Sequence, residues 1–195
     1  MKKYLFFLLM LAFNVAMGQS WTKNYEYVGD FHGGLAKVEK GGKVGFVDEK
    51  GKLQIAFNYD EAMEFSEGMA AIKKDGKWGF VDSTGALVVP PTYSESYSFS
   101  EGLARVEKGS RVGFIDKTGK VVIDLSYTAA GYFSNGLAPV CNEKQLWGFI
   151  DKNGKAVINF NYMFAKSFEE GSARVMKDGK WVEIDKNGRV VRAEK

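Results

Sequence analysis

The side chains of this chain that could do chemistry recur at fixed intervals. Asp48, Asp82, Asp116, Asp151 and Asp185 each stand three residues before a glycine: Gly51, Gly85, Gly119, Gly154 and Gly188. Carboxylates on turns could hold calcium, but a calcium loop gathers several oxygen ligands and closes on a bidentate Glu. Each of these turns offers one Asp, with only Asn or Thr nearby. Asp at the first position and Gly at the fourth suit a β-turn whose carboxylate bonds its own backbone. Trp78, Trp147 and Trp181 share one register and could stack on sugar rings. The equivalent positions elsewhere hold Val44 and Val112, and a place that takes either Val or Trp reads as packing. Glu61 and Glu64 could work as an acid–base pair, but two carboxylates three residues apart are too common to specify catalysis.

The chain has one His and one Cys. A single His excludes any site that needs two, and His32 has no neighbouring Cys with which to hold a metal. A single Cys excludes an intramolecular disulfide framework and a Cys-based zinc site. Cys141 falls where other units carry Glu39, Lys73 and Glu107, a position expected to be polar. It reads as an incidental replacement, with an exposed thiol able to pair between chains as the alternative. No G-x-S-x-G elbow, S-x-x-K nucleophile or glycine-rich phosphate loop occurs. The residues therefore point to a protein that is not an enzyme and uses no metal or cofactor.

The elements that carry these residues repeat. Phe31, Phe65, Phe99, Phe133 and Phe168 are each followed at the third position by Gly34, Gly68, Gly102, Gly136 and Gly171. Tyr25, Tyr59, Tyr93, Tyr127 and Tyr162 mark the joins between units 25–58, 59–92, 93–126, 127–161 and 162–195. Fixed self-similarity of this kind marks a repeat architecture. Each unit of about 34 residues reads as three short antiparallel strands. Gly41-Gly42, Asp75-Gly76, Gly109-Ser110 and Asp178-Gly179 supply the positive φ that two-residue hairpin turns need. The fourth unit has Asn142 to Gln145 there and needs a longer turn. The turn at 41–42 sets Ala36 opposite Val47 and Val38 opposite Gly45 on a small apolar face, where the glycine allows a close backbone approach. The other face pairs Lys37 with Phe46 and Glu39 with Val44. No sustained helical periodicity appears in the mature chain.

The last unit departs from the pattern. Glu183 replaces the aromatic of Trp-Gly-Phe, Ser172 replaces Leu, and the final strand is polar. A terminal unit with a polar outer face is what a stacked array requires. The fold expected is all-β: five tandem three-stranded repeats in an open stack or superhelix, with a closed five-bladed propeller-like ring as the alternative.

Residues 1–18 have the layout of a secretory signal peptide: Lys2 and Lys3, an apolar run from Tyr4 to Phe13, and small residues before a cut near Gly18. The run is too short to span a membrane. Cleavage removes two Lys and no acid, so the formal charge falls from +3 to +1. That leaves little electrostatic support for nucleic-acid binding. Residues 19–24 form a short lead-in, and Trp21 lies outside the repeats. An exported location, periplasmic or extracellular, is expected.

The unit F-x-x-G-L-A-x-V-x-x-x-G-K-W-G-F-I-D-x-x-G-K-x-V-I resembles the WG-containing repeat (KWG repeat) family of bacterial proteins. The resemblance rests on Trp78-Gly79-Phe80, Trp147-Gly148-Phe149 and the Val44-Gly45-Phe46 and Val112-Gly113-Phe114 variants. It covers residues 25–195 and implies an all-β repeat protein, often exported or surface-associated. It implies no catalytic residues.

Shared positions in a repeat array hold the stack, and variable positions form its binding face. The most variable segments run from each joining Tyr to the next Phe. They contain Tyr27, Glu61, Glu64, Tyr97, Tyr132 and Phe164, the candidate partner-binding residues. The expected function is a non-catalytic scaffold that binds another protein at or outside the cell envelope. Glycan or cell-wall binding is the alternative, motivated by the tryptophans in register and by 14% aromatic content.

Overall fold

The computed structural model describes residues 20–193. The expected signal peptide lies outside the described residues, as do Glu194 and Lys195. The paired turn residues set each unit. Gly41-Gly42, Asp75-Gly76, Gly109-Ser110 and Asp178-Gly179 all adopt positive φ at both positions, the conformation that matches the twist of the flanking strands. The resulting register is the expected one: Ala36 faces Val47, Val38 faces Gly45, and Lys37 faces Phe46. Each Asp-x-x-Gly turn closes on itself. Gly51 N donates to Asp48 O at 2.8 Å, and Asp48 Oδ1 accepts from the N–H groups of Lys50 and Lys52 at 2.9 Å. These carboxylates are held by their own turns, as the turn reading requires.

The three expected strands occur in every unit, and a fourth precedes them. In the first sheet the order is Tyr27–His32, Leu35–Lys40, Lys43–Asp48 and Leu53–Tyr59. In the second it is Glu61–Ala62, Met69–Lys74, Lys77–Asp82 and Leu87–Tyr93, and three further four-stranded meanders follow. The added strand comes from the variable join. Leu53–Tyr59 ends one sheet and, one residue later, Glu61–Ala62 opens the next. Consecutive sheets are thus tied by a single residue: Asp60, Ser94, Thr128 or Met163.

That tie explains the glycine of the Trp-Gly-Phe motif. Val44 pairs with Tyr59 and Phe46 with Ile55, so three residues of the fourth strand oppose Gly45 alone. The bulged backbone bends across the glycine on its way to the next sheet. A Cβ on Gly45 would lie 2.6 Å from the Ile55 carbonyl oxygen, and on Gly79 2.3 Å from that of Val89. In the fifth unit no sheet follows the last strand among the described residues. Val182 there pairs directly with Ala193, so a side chain fits.

The core lies between sheets. Phe46 meets Phe65 edge to face at 4.8 Å, and Phe80–Phe99, Phe114–Phe133 and Phe149–Phe168 repeat the contact at 5.0, 4.9 and 5.1 Å. Phe31 has no preceding sheet and is 36% exposed. Trp21, on the 3-10 turn Ser20–Asn24, partly covers it, with ring centroids 6.4 Å apart. The Trp21 ring also packs over Gly51, as Ile55, Val89, Ile123 and Ile158 pack over Gly85, Gly119, Gly154 and Gly188. The unassigned tryptophan therefore substitutes for a preceding unit. At the other end Ser172, Glu183 and Arg192 occupy the places of Leu137, Phe149 and Ile158. Arg192 lies 4.0 Å from Glu183, which Ser172 Oγ approaches at 3.5 Å. Among the described residues, extensive contacts link each sheet only to the next, and none joins the fifth to the first. The array is open, with a covered start and a charged end.

Candidate functional site

Across the joins the aromatic side chains divide into two sets. The phenylalanines shared by the repeats are buried between sheets, apart from Phe31 at the first sheet. Tyr27, Tyr97, Tyr132 and Phe164, which vary from unit to unit, are 41–47% exposed. Tyr27 sits on the first strand of sheet one, with Lys37 Nζ 5.2 Å above its ring. Tyr97 follows the first strand of sheet three and carries the Arg105 guanidinium 3.5 Å from its ring centre. Tyr132 donates its hydroxyl to Glu169 Oε1 at 3.2 Å; burial first, then the carboxylate, raises its pKa. Phe164 stands between Trp147 at 5.2 Å and Trp181 at 5.7 Å.

The two glutamates do not converge. Glu61 is exposed and bonds Lys73 Nζ at 2.7 Å. Glu64 is half-buried beside Gly29 and lies 3.8 Å from Lys37. Tyr27 and Glu64 therefore share Lys37, whereas Glu61 belongs to a separate ion pair. His32 is exposed at the end of its strand. Cys141, expected at a polar position, is only 2% exposed. Its pairing with Trp147 places it under an aromatic ring, so the exposed-thiol alternative does not hold.

Tyr132 and Phe164 come together in a groove of about 400 Å³ between sheets four and five. Its floor is Ala129, Ala130 and Gly131, its aromatic wall Trp147 and Phe164, and its charged margins Arg105 and Lys166. Arg105 donates a hydrogen bond to the Ala130 carbonyl, which fixes its guanidinium over Tyr97. Sequence reasoning missed Trp147, Arg105, Lys166 and the small floor. The signal was present: Ala129 and Gly131 stand where sheet three carries Glu95 and Tyr97 and sheet five carries Phe164 and Lys166. The tryptophans proposed as sugar platforms are drawn into packing. Trp78 is buried in the core between sheets two and three, and Trp147 packs partly under Phe164.

Five consecutive four-stranded meanders, each packed on the next, define a tandem β-repeat protein with blade-like sheets. The chain belongs to the WG containing repeat family, whose model matches residues 22–43, 45–78, 78–111, 113–144 and 147–181. The fold is similar to that of the computationally designed Ika8 protein, at 14% identity and a TM-score of 0.54, with 86% of this chain and 61% of that one covered. It is also similar to Hsv2 of Kluyveromyces lactis, at 13% identity and a TM-score of 0.53, with 82% and 58% covered. The WD40 β-propeller domain of Doa1 matches at 12% identity and a TM-score of 0.44, covering 85% and 66%. The chain spans about three fifths of the length of Ika8 and Hsv2. No curated protein matches it in sequence. No helix among the described residues is long and apolar enough to cross a membrane.

Proposed function

We propose that this protein is an exported, non-catalytic scaffold that binds another protein at or outside the cell envelope. One observation carries the reading: the repeat phenylalanines Phe65, Phe99, Phe133 and Phe168 are buried in the stack, while Tyr27, Tyr97, Tyr132 and Phe164 stay exposed on the first-strand side of the sheets. Exposed aromatics on a rigid support are the side chains that anchor protein interfaces. Export rests on the sequence of residues 1–18, and the non-catalytic reading on the absence of a nucleophile or phosphate-loop motif from the sequence. Glycan binding loses its main motivation with the burial of Trp78.

Affinity capture with the mature chain and with Tyr97→Ala and Tyr132→Ala variants tests the reading. Specific partners lost with either variant are expected; identical partner sets for all three proteins would refute it. Mass analysis of the exported protein should give an N-terminus near Gln19, and retention of the full chain inside the cell would refute export.

A further inference from the structure

We propose that the groove between sheets four and five takes an extended acidic segment of the partner protein, with one apolar side chain as its anchor. This rests on the protein-binding reading and names the chemistry of the partner. The argument begins with an internal comparison. The join between sheets two and three has the same plan as that between four and five, with Trp78 in the place of Trp147. There Met63 packs against the inter-sheet core and Trp78 is buried. At the later join the residue in the register of Met63 is Gly131. A Cβ there would meet Ser167 Oγ at 2.6 Å and Pro139 Cγ at 2.7 Å. The position is committed to having no side chain. Trp147 stays partly exposed, and a volume of about 400 Å³ opens beside it, within the range of ligand pockets.

The lining fixes the chemistry of the occupant. The walls of Trp147, Phe164 and Ala165 are apolar and accept an aliphatic or aromatic anchor. The margins are cationic on two sides, with Arg105 from sheet three and Lys166 from sheet five. The lining holds one acid, Glu169, which accepts a hydrogen bond from the Tyr132 hydroxyl and leaves the two cations in excess. A segment that places carboxylates on both sides of a buried Phe or Leu matches this arrangement, and a basic segment meets repulsion.

The test uses residues that the chain itself carries at the same register, so the fold accommodates them. Ala129→Glu and Phe164→Glu copy Glu61 and Glu95, and Arg105→Ala copies Ala71. Fluorescence polarisation with the mature chain would use the labelled peptide Gly-Asp-Asp-Phe-Asp-Asp-Gly. Two control peptides replace Phe by Ser or every Asp by Lys. Saturable binding of the acidic peptide is expected, at least tenfold tighter than either control. Ala129→Glu and Phe164→Glu should each weaken it about tenfold and Arg105→Ala about fivefold, with cooperative melting retained in all three. No saturable binding, equal binding of a control peptide, or variants that bind like wild type would overturn the proposal. If the peptide fails while Tyr97-dependent capture persists, the groove chemistry alone is wrong; if both fail, the protein-binding reading falls with it.

Discussion

Removing the Phe114 ring should split the array in two. Phe114 is 1% exposed and meets Phe133 at 4.9 Å across the interface of sheets three and four. Truncation of a buried Phe to Ala costs about 3–5 kcal/mol, a large share of the roughly 5–15 kcal/mol that holds a domain folded. In a repeat array this loss stays at one interface, because stability sums over units and nearest neighbours. Phe114→Ala should therefore uncouple units one to three from units four and five. Urea unfolding followed by fluorescence can see this. Trp21 and Trp78 report on the first part and Trp147 and Trp181 on the second, and backgrounds with one pair changed to Phe isolate each. Two separated transitions are expected. Phe31→Ala is the control: its ring is already 36% exposed and meets the Trp21 ring edge to face, so the loss should be about 1–2 kcal/mol. A single transition shared by both reporter pairs in Phe114→Ala, or equal costs for the two variants, would refute the nearest-neighbour reasoning.

Gly113→Val should cost more than about 3 kcal/mol, because a Cβ there lies 2.5 Å from the Ile123 carbonyl oxygen; a melting temperature within a few degrees of wild type would show that the fourth strand can move aside. Ser96 is fully buried and its hydroxyl has no hydrogen-bond partner among the described residues, whereas Ala62, Ala130 and Ala165 occupy its register. Ser96→Ala should stabilise the protein by about 1 kcal/mol, and a lower urea midpoint would refute this. Hydrogen bonds hold the carboxyls of Asp48, Asp82, Asp116 and Asp185 below the usual range. The main donors are Lys52 N–H, the Thr84 hydroxyl, the Thr118 hydroxyl and Arg189 N–H, in that order. Because these folded-state values are depressed, their contribution is present above the unfolded value of about 4 and is lost as pH falls through the folded values. The urea midpoint should therefore drop below about pH 4, and a flat profile down to about pH 2 would contradict the role given to these turns.

The repeat, the hairpin register and the polar last unit were legible because each follows from local chemistry. Positive-φ turn residues dictate pairing, and period-2 alternation then assigns the faces. The fourth strand was not legible. Glu61–Ala62 and its counterparts in sheets three to five are two residues long, too short to show alternation, and the preceding strand delivers them to their partners. The role of the motif glycine was legible in kind, as a close backbone approach. The approaching backbone turned out to be the unit's own fourth strand, a consequence of the bulge. Of the site, the exposed aromatics could be found by asking which positions vary. The groove is harder to read, because it is made by absence: Gly131 and Ala129 stand out only when aligned with Met63 and Tyr97, and they carry no chemistry of their own. Cys141 was misplaced because a polar residue at that position in other units has a long stem and a wet head, whereas a thiol has neither.

The units also alternate in a way that sets what each join can offer. Units one and three set a long cation diagonally across from a small strand residue: Lys37 from Val44 and Arg105 from Val112. Units two and four reverse the sizes: Ala71 with Trp78 and Pro139 with Trp147. Both positions lie on the face that packs on the next sheet, so the volume between sheets is conserved by exchanging large for small. Lys37 and Arg105 also reach across to the carbonyls of Ala62 and Ala130. Only unit five has both large residues, Arg174 and Trp181, and it has no next sheet to meet. If this complementarity is real, Val112→Trp alone should overpack the join of sheets three and four and cost about 1–3 kcal/mol. Adding Arg105→Ala should recover much of that loss and give a coupling energy above about 0.5 kcal/mol in a double-mutant cycle. Additive costs would show that the two positions do not share a volume. The alternation would then be no guide to why a groove opens beside Trp147 and not beside Val112.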